Sequence, residues 1–216
     1  MKTKPHSNLF PFPDGLQERT RFMTRRKPET KVEIPIAKAQ WHPCLLTGQI
    51  VLVSTRSLRG ELHAASKSWL TLVAAEPPML GLCCKLSHRT AINILETREF
   101  VINIPGEDLV SRVWSAGDTV ASDVESHDPV AWSFAAAVRV SAPRVLECRA
   151  HIECVLDSTR RFNDEEMIFF ARIVSASVDE SLLKGTPEER YRSLKSLVFL
   201  EPDLFTVIEN PRKVPS

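Results

Sequence analysis

The sequence lacks the patterns that mark several common enzyme classes. Its 216 residues include seven glycines, and none of them forms a G-x-G-x-x-G, G-x-x-x-x-G-K-[ST] or G-x-S-x-G motif. A Rossmann-type dinucleotide site, a P-loop and a nucleophile elbow are therefore unsupported. H-E-x-x-H is absent as well, and the cysteines and histidines have no zinc spacing. We expect no metal site.

Long apolar runs and a strong charge of one sign are also missing. The longest hydrophobic stretches, such as residues 50–53 and 167–170, have the length of strands, so we expect no membrane span. The net charge of +1 gives no global field for binding nucleic acid. The charged N-terminal residues are not followed by an apolar stretch, which is unlike a secretory signal.

Cysteine usage favours a protein with free thiols. The five cysteines, at positions 44, 83, 84, 148 and 154, form no C-x-x-C pair. Their odd number and their spacing argue against a disulfide framework and indicate a reducing, cytoplasmic location. Cys83 and Cys84 are neighbours on a predicted strand and should point to its opposite faces.

Composition divides the chain into three parts. Residues 1–31 are a Pro-containing N-terminal extension with eight Lys or Arg against three acidic residues. This extension is either a basic arm for an anionic partner or a solvated, partner-wrapping segment, and its charge run is too short to favour the arm. Residues 32–180 form the main domain. Residues 181–216 form a tail that we expect to pack on the barrel or on a partner subunit.

Alternating patterns typical of strands dominate the main domain. They predict a strand from residue 45 that ends at Arg56, further strands over residues 70–73, 79–84 and 100–104, and a long hairpin of residues 145–156 and 167–178. Helices are predicted over residues 90–98, with Ser87 as N-cap, and over 109–117. Residues 118–133 are predicted to form a polar loop, and residues 179–189 a linker. Because strands predominate, we expect a closed antiparallel barrel with helices over its ends.

Polar residues collect where these strands end and the first helix starts. Ser87, Arg89 and Thr90 offer hydroxyls, a cation and first-turn N–H groups, which suit a phosphate; the alternative is an ordinary capped helix start. Small polar residues at 66–68 leave backbone groups accessible to a planar heterocycle; the alternative is a plain turn-to-strand junction. For Trp69 we favour a place in the core.

The order of these motifs closely resembles the flavin reductase-like family of FMN-binding split barrels. In this chain it runs from V-L-V-S-T-R at 51–56 through S-K-S-W at 66–69 and P-P at 77–78 to S-x-x-T at 87–90 and V-I-N-I-P at 101–105. The resemblance covers about residues 32–180 and implies a mainly β, antiparallel, FMN-binding split β-barrel with short helices over its ends. It also implies a flavin-dependent oxidoreductase that passes a hydride from NAD(P)H to bound FMN (or FAD), and electrons on to a flavin or other acceptor.

The candidate cofactor-binding residues lie at the strand ends and at the start of the helix. They are Ser54, Thr55, Arg56, Ser66, Lys67, Ser68, Cys83, Cys84, Lys85, Ser87, Arg89, Thr90 and Asn103. His63, where the family usually has Asn, and His127 are candidates on the substrate side. No residue is assigned to catalysis, because the flavin would carry the chemistry.

Several of these assignments leave alternatives open. Lys67 departs from the small or apolar residue usual in the family: it could pair with the N1–C2 carbonyl region of the flavin, which would raise the reduction potential, pair with the phosphate, or extend into solvent. Arg56 could serve the phosphate or the ribityl chain, or be an exposed strand-end residue. Asn103 could support the cofactor or close a turn. Which of Cys83 and Cys84 faces the flavin stays open.

Two further functions and the assembly complete the expectations. The protein could be an FMN enzyme acting on a specific small organic substrate, or a non-redox β-barrel binding module. We expect a homodimer, and a monooxygenase is a possible partner. Apolar groups for a subunit interface are Phe10, Phe12, Trp41, residues 197–200 and Phe205.

Overall fold

The structure is a computed structural model that describes residue 34 and residues 46–116, 132–201 and 204–214. The strands in these ranges are β1 (Gly48–Gln49), β2 (Val51–Arg56), β3 (Leu62–Lys67), β4 (Leu70–Ala75), β5 (Pro78–Lys85), β6 (Glu99–Ile104), β7 (Phe134–Ala135), β8 (Arg144–Val145), β9 (Ala150–Arg161), β10 (Glu166–Val178), β11 (Leu197–Glu201) and β12 (Leu204–Val207). The helices are α1 (Arg89–Thr97), α2 (Val110–Ser115) and α3 (Pro187–Leu194), with short 3-10 turns at Glu107–Leu109 and Glu180–Leu183.

Seven strands form the main sheet, in the order β3-β2-β6-β9-β10-β5-β4, and every neighbouring pair is antiparallel. The prediction of a mainly β, antiparallel fold is confirmed. The closed barrel is wrong, because β3 and β4 are the two edges of this sheet and no ladder joins them within the described ranges. Only Ser68 and Trp69 connect these two strands along the chain. The split between the edges is where the site described below opens.

The sheet is buried on both faces, so the chain has two main apolar clusters. Val51 and Val53 of β2 join the first cluster together with Ile94 of α1, while Leu52 joins the second together with Val113 of α2. A strand covered on both sides is apolar at successive positions rather than alternating, as β2 is. Full burial of a side chain such as Ile94 stabilises the fold by about 1.5–3 kcal/mol.

Helix α1 covers one end of the first cluster. The amide of Asn93 donates to the Thr55 hydroxyl over 2.9 Å and ties the helix to the end of β2. The helix is capped at its C-terminus by Arg98, whose backbone is left-handed (φ 63°) and whose N–H donates to the carbonyl of Ile94 over 2.9 Å. These contacts fix where the first turn of α1 lies.

The C-terminal segment packs on the second cluster. Strand β11 pairs with β1 and β12, Leu197 is fully buried, and the ring centroids of Trp114 and Phe199 lie 6.4 Å apart. Leu197 is therefore not available for a subunit interface, contrary to the expectation from the sequence. The predicted linker at 179–189 is also wrong in part, since α3 begins at Pro187.

The predicted long hairpin is formed by β9 and β10, with its first strand starting at Ala150; Val145 instead belongs to the short strand β8.

Residues 1–33, Trp41, His127 and most of the predicted loop at 118–133 lie outside the described residues. No helix in the described part is both long and apolar enough to cross a membrane. Within the same residues, no three His, Cys, Asp or Glu side chains are placed to hold a metal ion.

Candidate functional site

A pocket of about 230 Å³ opens at the split between the two edge strands. Its walls come from the end of β3, the two residues that connect β3 to β4, the end of β5, the residue before α1 and the first residue of β10. The lining residues are Ser66, Lys67, Ser68, Trp69, Cys83, Cys84, Lys85, His88 and Glu166. The structure thus brings the predicted segments 66–68 and 83–85 together around one cavity.

The register of β3 decides what it contributes to this pocket. Lys67 lies opposite Val51, and Ala65 opposite Val53, so the Lys67 side chain belongs to the same inner face as those two core valines. Ser66 points the other way, and its hydroxyl donates to the carbonyl of Ala116 over 3.2 Å. Ser66 therefore offers the pocket its backbone, and Lys67 offers its side chain.

Gly48 supports the pocket wall from behind. A Cβ atom at this position would lie 2.2 Å from the carbonyl oxygen of Ser68, which no side chain can do without moving that backbone. Gly48 is a positioning residue that the sequence showed only as an interruption in a strand pattern. Trp69, which follows Ser68 in the chain, is 53% exposed at the pocket, so the expected core position for Trp69 is wrong.

Cys83 and Cys84 lie on opposite faces of β5. Cys84 is buried in the first cluster, whereas Cys83 is partly exposed and its N–H donates to the carbonyl of Trp69 over 2.9 Å. Burial and, after it, the negative charge of Glu166 raise the pKa of the Cys83 thiol. The thiol is therefore neutral at physiological pH. Lys85 and Glu166 are register partners across β5 and β10, and place one cation and one anion at this wall.

The first turn of α1 lies beside the pocket. The N-cap is His88, with extended backbone angles (φ −74°, ψ 141°), and not Ser87 as predicted. The helix has no side-chain cap hydrogen bond and no acidic residue in its first turn. Its N–H groups and positive dipole end are thus suited to an anion. Ser87 is exposed, Arg89 is partly exposed and Thr90 is fully buried.

The predicted residues at the ends of β2 and β6 lie elsewhere. Ser54, Thr55 and Asn103 are fully buried and do not line the pocket. Arg56 is exposed beside the turn at Gly60, and a Cβ on that glycine would lie 3.4 Å from the Arg56 guanidinium. His63 is partly buried opposite Thr55 and is not among the lining residues. Contact of these five residues with a cofactor or substrate stays a prediction.

Asn103 instead has a structural role that the sequence did not reveal. Its side-chain N–H groups donate to the Ser54 hydroxyl over 2.8 Å and to the Leu52 carbonyl over 3.1 Å. Its oxygen accepts from the Val145 N–H over 2.9 Å and lies 2.9 Å from Nδ1 of His151. One buried amide therefore connects β2 and β6 to β8 and β9.

A sequence model described as the flavin reductase-like domain matches residues 44–195. The chain belongs to the flavin reductase-like family. The resemblance drawn from the motifs is confirmed, and the family match runs past residue 180 to include α3. A curated relative, an uncharacterized protein of Aquifex aeolicus, is 28% identical over 156 residues, which cover 67% of this chain and 78% of that protein.

Solved structures show the same fold. Flavoredoxin from Methanosarcina acetivorans aligns with a TM-score of 0.73 at 20% identity, over 86% of this chain and 95% of that one. An FMN-binding protein from Thermus thermophilus, with bound p-hydroxybenzaldehyde, aligns with a TM-score of 0.68 at 18% identity, over 87% and 99% of the two chains. The predicted split-barrel architecture is confirmed.

Proposed function

We propose that the protein is a flavin-dependent oxidoreductase that takes a hydride from NAD(P)H onto bound FMN and delivers electrons to a flavin or another small acceptor. The observation that carries this proposal is the pocket at the split, with the uncapped first turn of α1 beside it. Membership of the flavin reductase-like family and the likeness to an FMN-binding protein support it.

The residues present suit a phosphorylated planar ring. Ser87, Arg89 and the first N–H groups of α1 would hold the phosphate by charge-assisted hydrogen bonds. The backbone of residues 66–69 and the end of β5 would line the ring, and Trp69 would exclude water at the rim. FMN, when bound, would supply hydride acceptance and electron transfer, so the chain itself would only bind, orient and polarise.

A second copy of the chain would complete this site. The pocket of about 230 Å³ is smaller than the roughly 300–1,000 Å³ of typical small-molecule sites. Next to it, edge strand β4 leaves Leu72 and Val73 67% and 47% exposed. Pairing two copies through this edge would cover these apolar side chains and enlarge the enclosed space. We therefore propose a homodimer with the site at its interface.

The four cysteines in the described part of the chain are free thiols, and we propose that the protein works in the reducing cytoplasm.

A second candidate function uses the same site on a specific small organic substrate. The FMN-binding protein from Thermus thermophilus has p-hydroxybenzaldehyde, a small aromatic aldehyde, bound to it, which supports this second candidate. Tightly bound, stoichiometric flavin with little reduction of added riboflavin or FMN would select this candidate.

Absorbance spectra and ligand titrations test the proposal. The purified protein should bind FMN, and its flavin absorbance should bleach on addition of NADH or NADPH. The variant Ser87→Ala/Arg89→Gln should weaken FMN binding by on the order of tenfold or more, since hydrogen bonds to charged groups are lost. Riboflavin, which has no phosphate, should bind equally well to both proteins.

The matched control is Arg192→Gln, which removes an exposed positive charge on α3 and should leave FMN affinity unchanged. If the wild-type protein binds no flavin, the proposed function is wrong. If the double variant weakens riboflavin and FMN alike, the function stands but the phosphate does not lie at α1.

A further inference from the structure

The pocket is too small to enclose both a flavin and a dinucleotide donor. Its volume of about 230 Å³ is below the roughly 300–1,000 Å³ of a site for one small molecule. It also contains charges of both signs, because the buried Lys67 (8% exposed) and the exposed Lys85 line the same cavity as the Glu166 carboxylate. An NAD(P)H molecule whose nicotinamide reaches the flavin must therefore leave its adenosine half outside the pocket, on a neighbouring surface.

The tip of the β9–β10 hairpin provides such a surface. Glu166 of the pocket is the first residue of β10, and its carbonyl accepts from the Phe162 N–H over 3.1 Å. In the next row of the sheet, Arg160 lies opposite Ile168, which in turn lies opposite Cys83 of the pocket. These three side chains share the outer face of the sheet, away from the first apolar cluster. Cys83 and Arg160 are two strands apart, or roughly 10 Å.

Phe162 and Arg160 have the chemistry that recognises an adenine nucleotide. Phe162 is 59% exposed. The Arg160 guanidinium lies over its ring, 5.9 Å from the centroid, and leaves the rest of the ring open to a base. Bases stack on aromatic rings and on guanidinium planes, and a guanidinium binds phosphate oxygens in a bidentate manner. The partly buried Ile168 adds an apolar contact between this pair and the pocket.

The positive charge of Arg160 is available to a ligand. Within the described part of the chain, Arg160 forms no ion pair, whereas its neighbour Arg161 pairs with Asp164 over 3.1 Å. The nearby carboxylate of Glu166 accepts from Nδ2 of Asn163 over 3.0 Å. Neither carboxylate is bound by Arg160, so an incoming phosphate does not have to displace one.

From these observations we infer that the hairpin tip binds the adenosine half of NAD(P)H, with Phe162 against the adenine and Arg160 on a phosphate of that half. The inference rests on the proposed function, because the nicotinamide has to reach a flavin in the pocket. The pyrophosphate linkage of a dinucleotide can bridge the distance between the pocket and the hairpin tip. Both residues bind the donor and take no part in hydride transfer. They should therefore determine the affinity for the donor, and not the limiting rate of flavin reduction.

Anaerobic stopped-flow reduction of the FMN-loaded protein gives the dissociation constants of NADH and NADPH and the limiting rate. In Arg160→Gln and in Phe162→Ala, these dissociation constants should rise by about fivefold to tenfold or more, with the limiting rate unchanged. Preferential loss of NADPH affinity in Arg160→Gln would place Arg160 on the 2′-phosphate, and equal loss of both donors would place it on the 5′-phosphate. Reduced nicotinamide mononucleotide, which lacks the adenosine half, should react equally well with wild type and variants.

Calorimetric titration of the FMN-loaded protein with ADP gives a measurement that does not depend on activity. ADP should bind to the wild-type protein and more weakly to both variants. The matched control is Arg139→Gln, which removes an exposed arginine charge from the segment before β8. The Arg139 N–H donates to Glu153, near the opposite end of β9 from Arg160. This control should leave the affinities for ADP, NADH and NADPH unchanged.

Three results would overturn the inference. One is an equal loss of donor affinity in Arg139→Gln, and another is equal weakening of NADH and reduced nicotinamide mononucleotide in the hairpin variants. The third is loss of FMN but not riboflavin affinity in Arg160→Gln, which would place the flavin phosphate at the hairpin tip. If NAD(P)H bleaches the flavin and both variants keep the wild-type dissociation constants, the inference is wrong and the proposed function stands. If the wild-type protein binds no flavin, both are wrong.

Discussion

Asn103 is the residue on which the buried polar contacts of the sheet converge. Replacing it with Ala would leave the buried Val145 N–H without its acceptor and would remove the donor to the Ser54 hydroxyl and to the Leu52 carbonyl. Each buried polar group left unsatisfied costs about 1–3 kcal/mol, so we expect Asn103→Ala to lower the free energy of unfolding by about 2–4 kcal/mol. Urea denaturation measures the change. Asn163→Ala, in the exposed turn between β9 and β10, is the control and should cost less. An unchanged urea midpoint in Asn103→Ala would contradict the prediction.

The same residue shows what the sequence could and could not reveal at this scale. Ser54 and Asn103 end strands, as ligand-binding polar residues often do, and their residue types cannot separate a ligand contact from a buried hydrogen bond. The carbonyl of Pro143, which accepts from the Ser54 hydroxyl, lies far along the chain, so this contact could not be predicted from the local sequence. The grouping of residues 66–68 with 83–85 was predictable, because a family pattern orders them. The burial of Lys67 was not, since it depends on the register of β3.

Among the elements, the segment that leads into β8 is tied to the sheet by the carboxylate of Glu153. Glu153 of β9 is fully buried, accepts from the N–H groups of Val138 and Arg139 over 3.0 and 2.6 Å, and pairs with Arg144. Burial alone would raise the pKa of Glu153, but these donors and the guanidinium outweigh it and the pKa is lowered. The ionised form is therefore the one that stabilises the fold.

We expect Glu153→Gln to destabilise the protein by about 3 kcal/mol at neutral pH, because the partly buried Arg144 loses the charge of its fully buried partner. The stabilisation by Glu153 is present above the ordinary pKa of about 4.3 for a glutamate and is lost as the pH falls through the lowered value. The difference between wild type and variant in urea unfolding should therefore shrink in acid. Glu180→Gln, which removes an exposed partner of Lys184, should cost no more than about 1 kcal/mol. Equal unfolding curves of Glu153→Gln and wild type at pH 7 would refute this account.

The presence of an element, though not its first residue, was predictable where the local signal is strong. The hairpin of β9 and β10 and helix α1 follow long apolar patterns, and both are present. Helix α3 carries its own signal, since Thr186 and Glu189 form a reciprocal capping box and Pro187 occupies the first turn. The residues of α3 are mostly polar and none of them is buried, so the helix lacks the apolar pattern by which the other helices were predicted. The prediction of a closed barrel failed because local sequence patterns do not decide closure. Whether the two edge strands pair depends on how far the whole sheet twists before they meet.

At the scale of the whole molecule, both main apolar clusters contain a buried thiol. Cys154 is in the first and Cys148 in the second. Burial, with a smaller contribution from the neighbouring glutamates, raises the pKa of each thiol to about 12. In the unfolded chain a thiol ionises near pH 8.5, so the unfolded state loses these protons first. The stability linked to the neutral thiols is present in full below that pH and is lost progressively up to about pH 12.

The two clusters should therefore weaken together in alkali. Between pH 9 and 11 each thiol should lower the free energy of unfolding by up to about 1.4 kcal/mol per pH unit, and the pair by about 2.7. Cys148→Ala and Cys154→Ala should each be less stable at pH 7, because a buried side chain is shortened, and each should lose about half of this pH dependence. Urea unfolding with a non-thiol reductant measures both effects, and ionisation of lysines and the single tyrosine cancels in the comparison. Parallel pH profiles for wild type and both variants would mean that the thiols already meet water in the native state, and that neither cluster is closed around its cysteine.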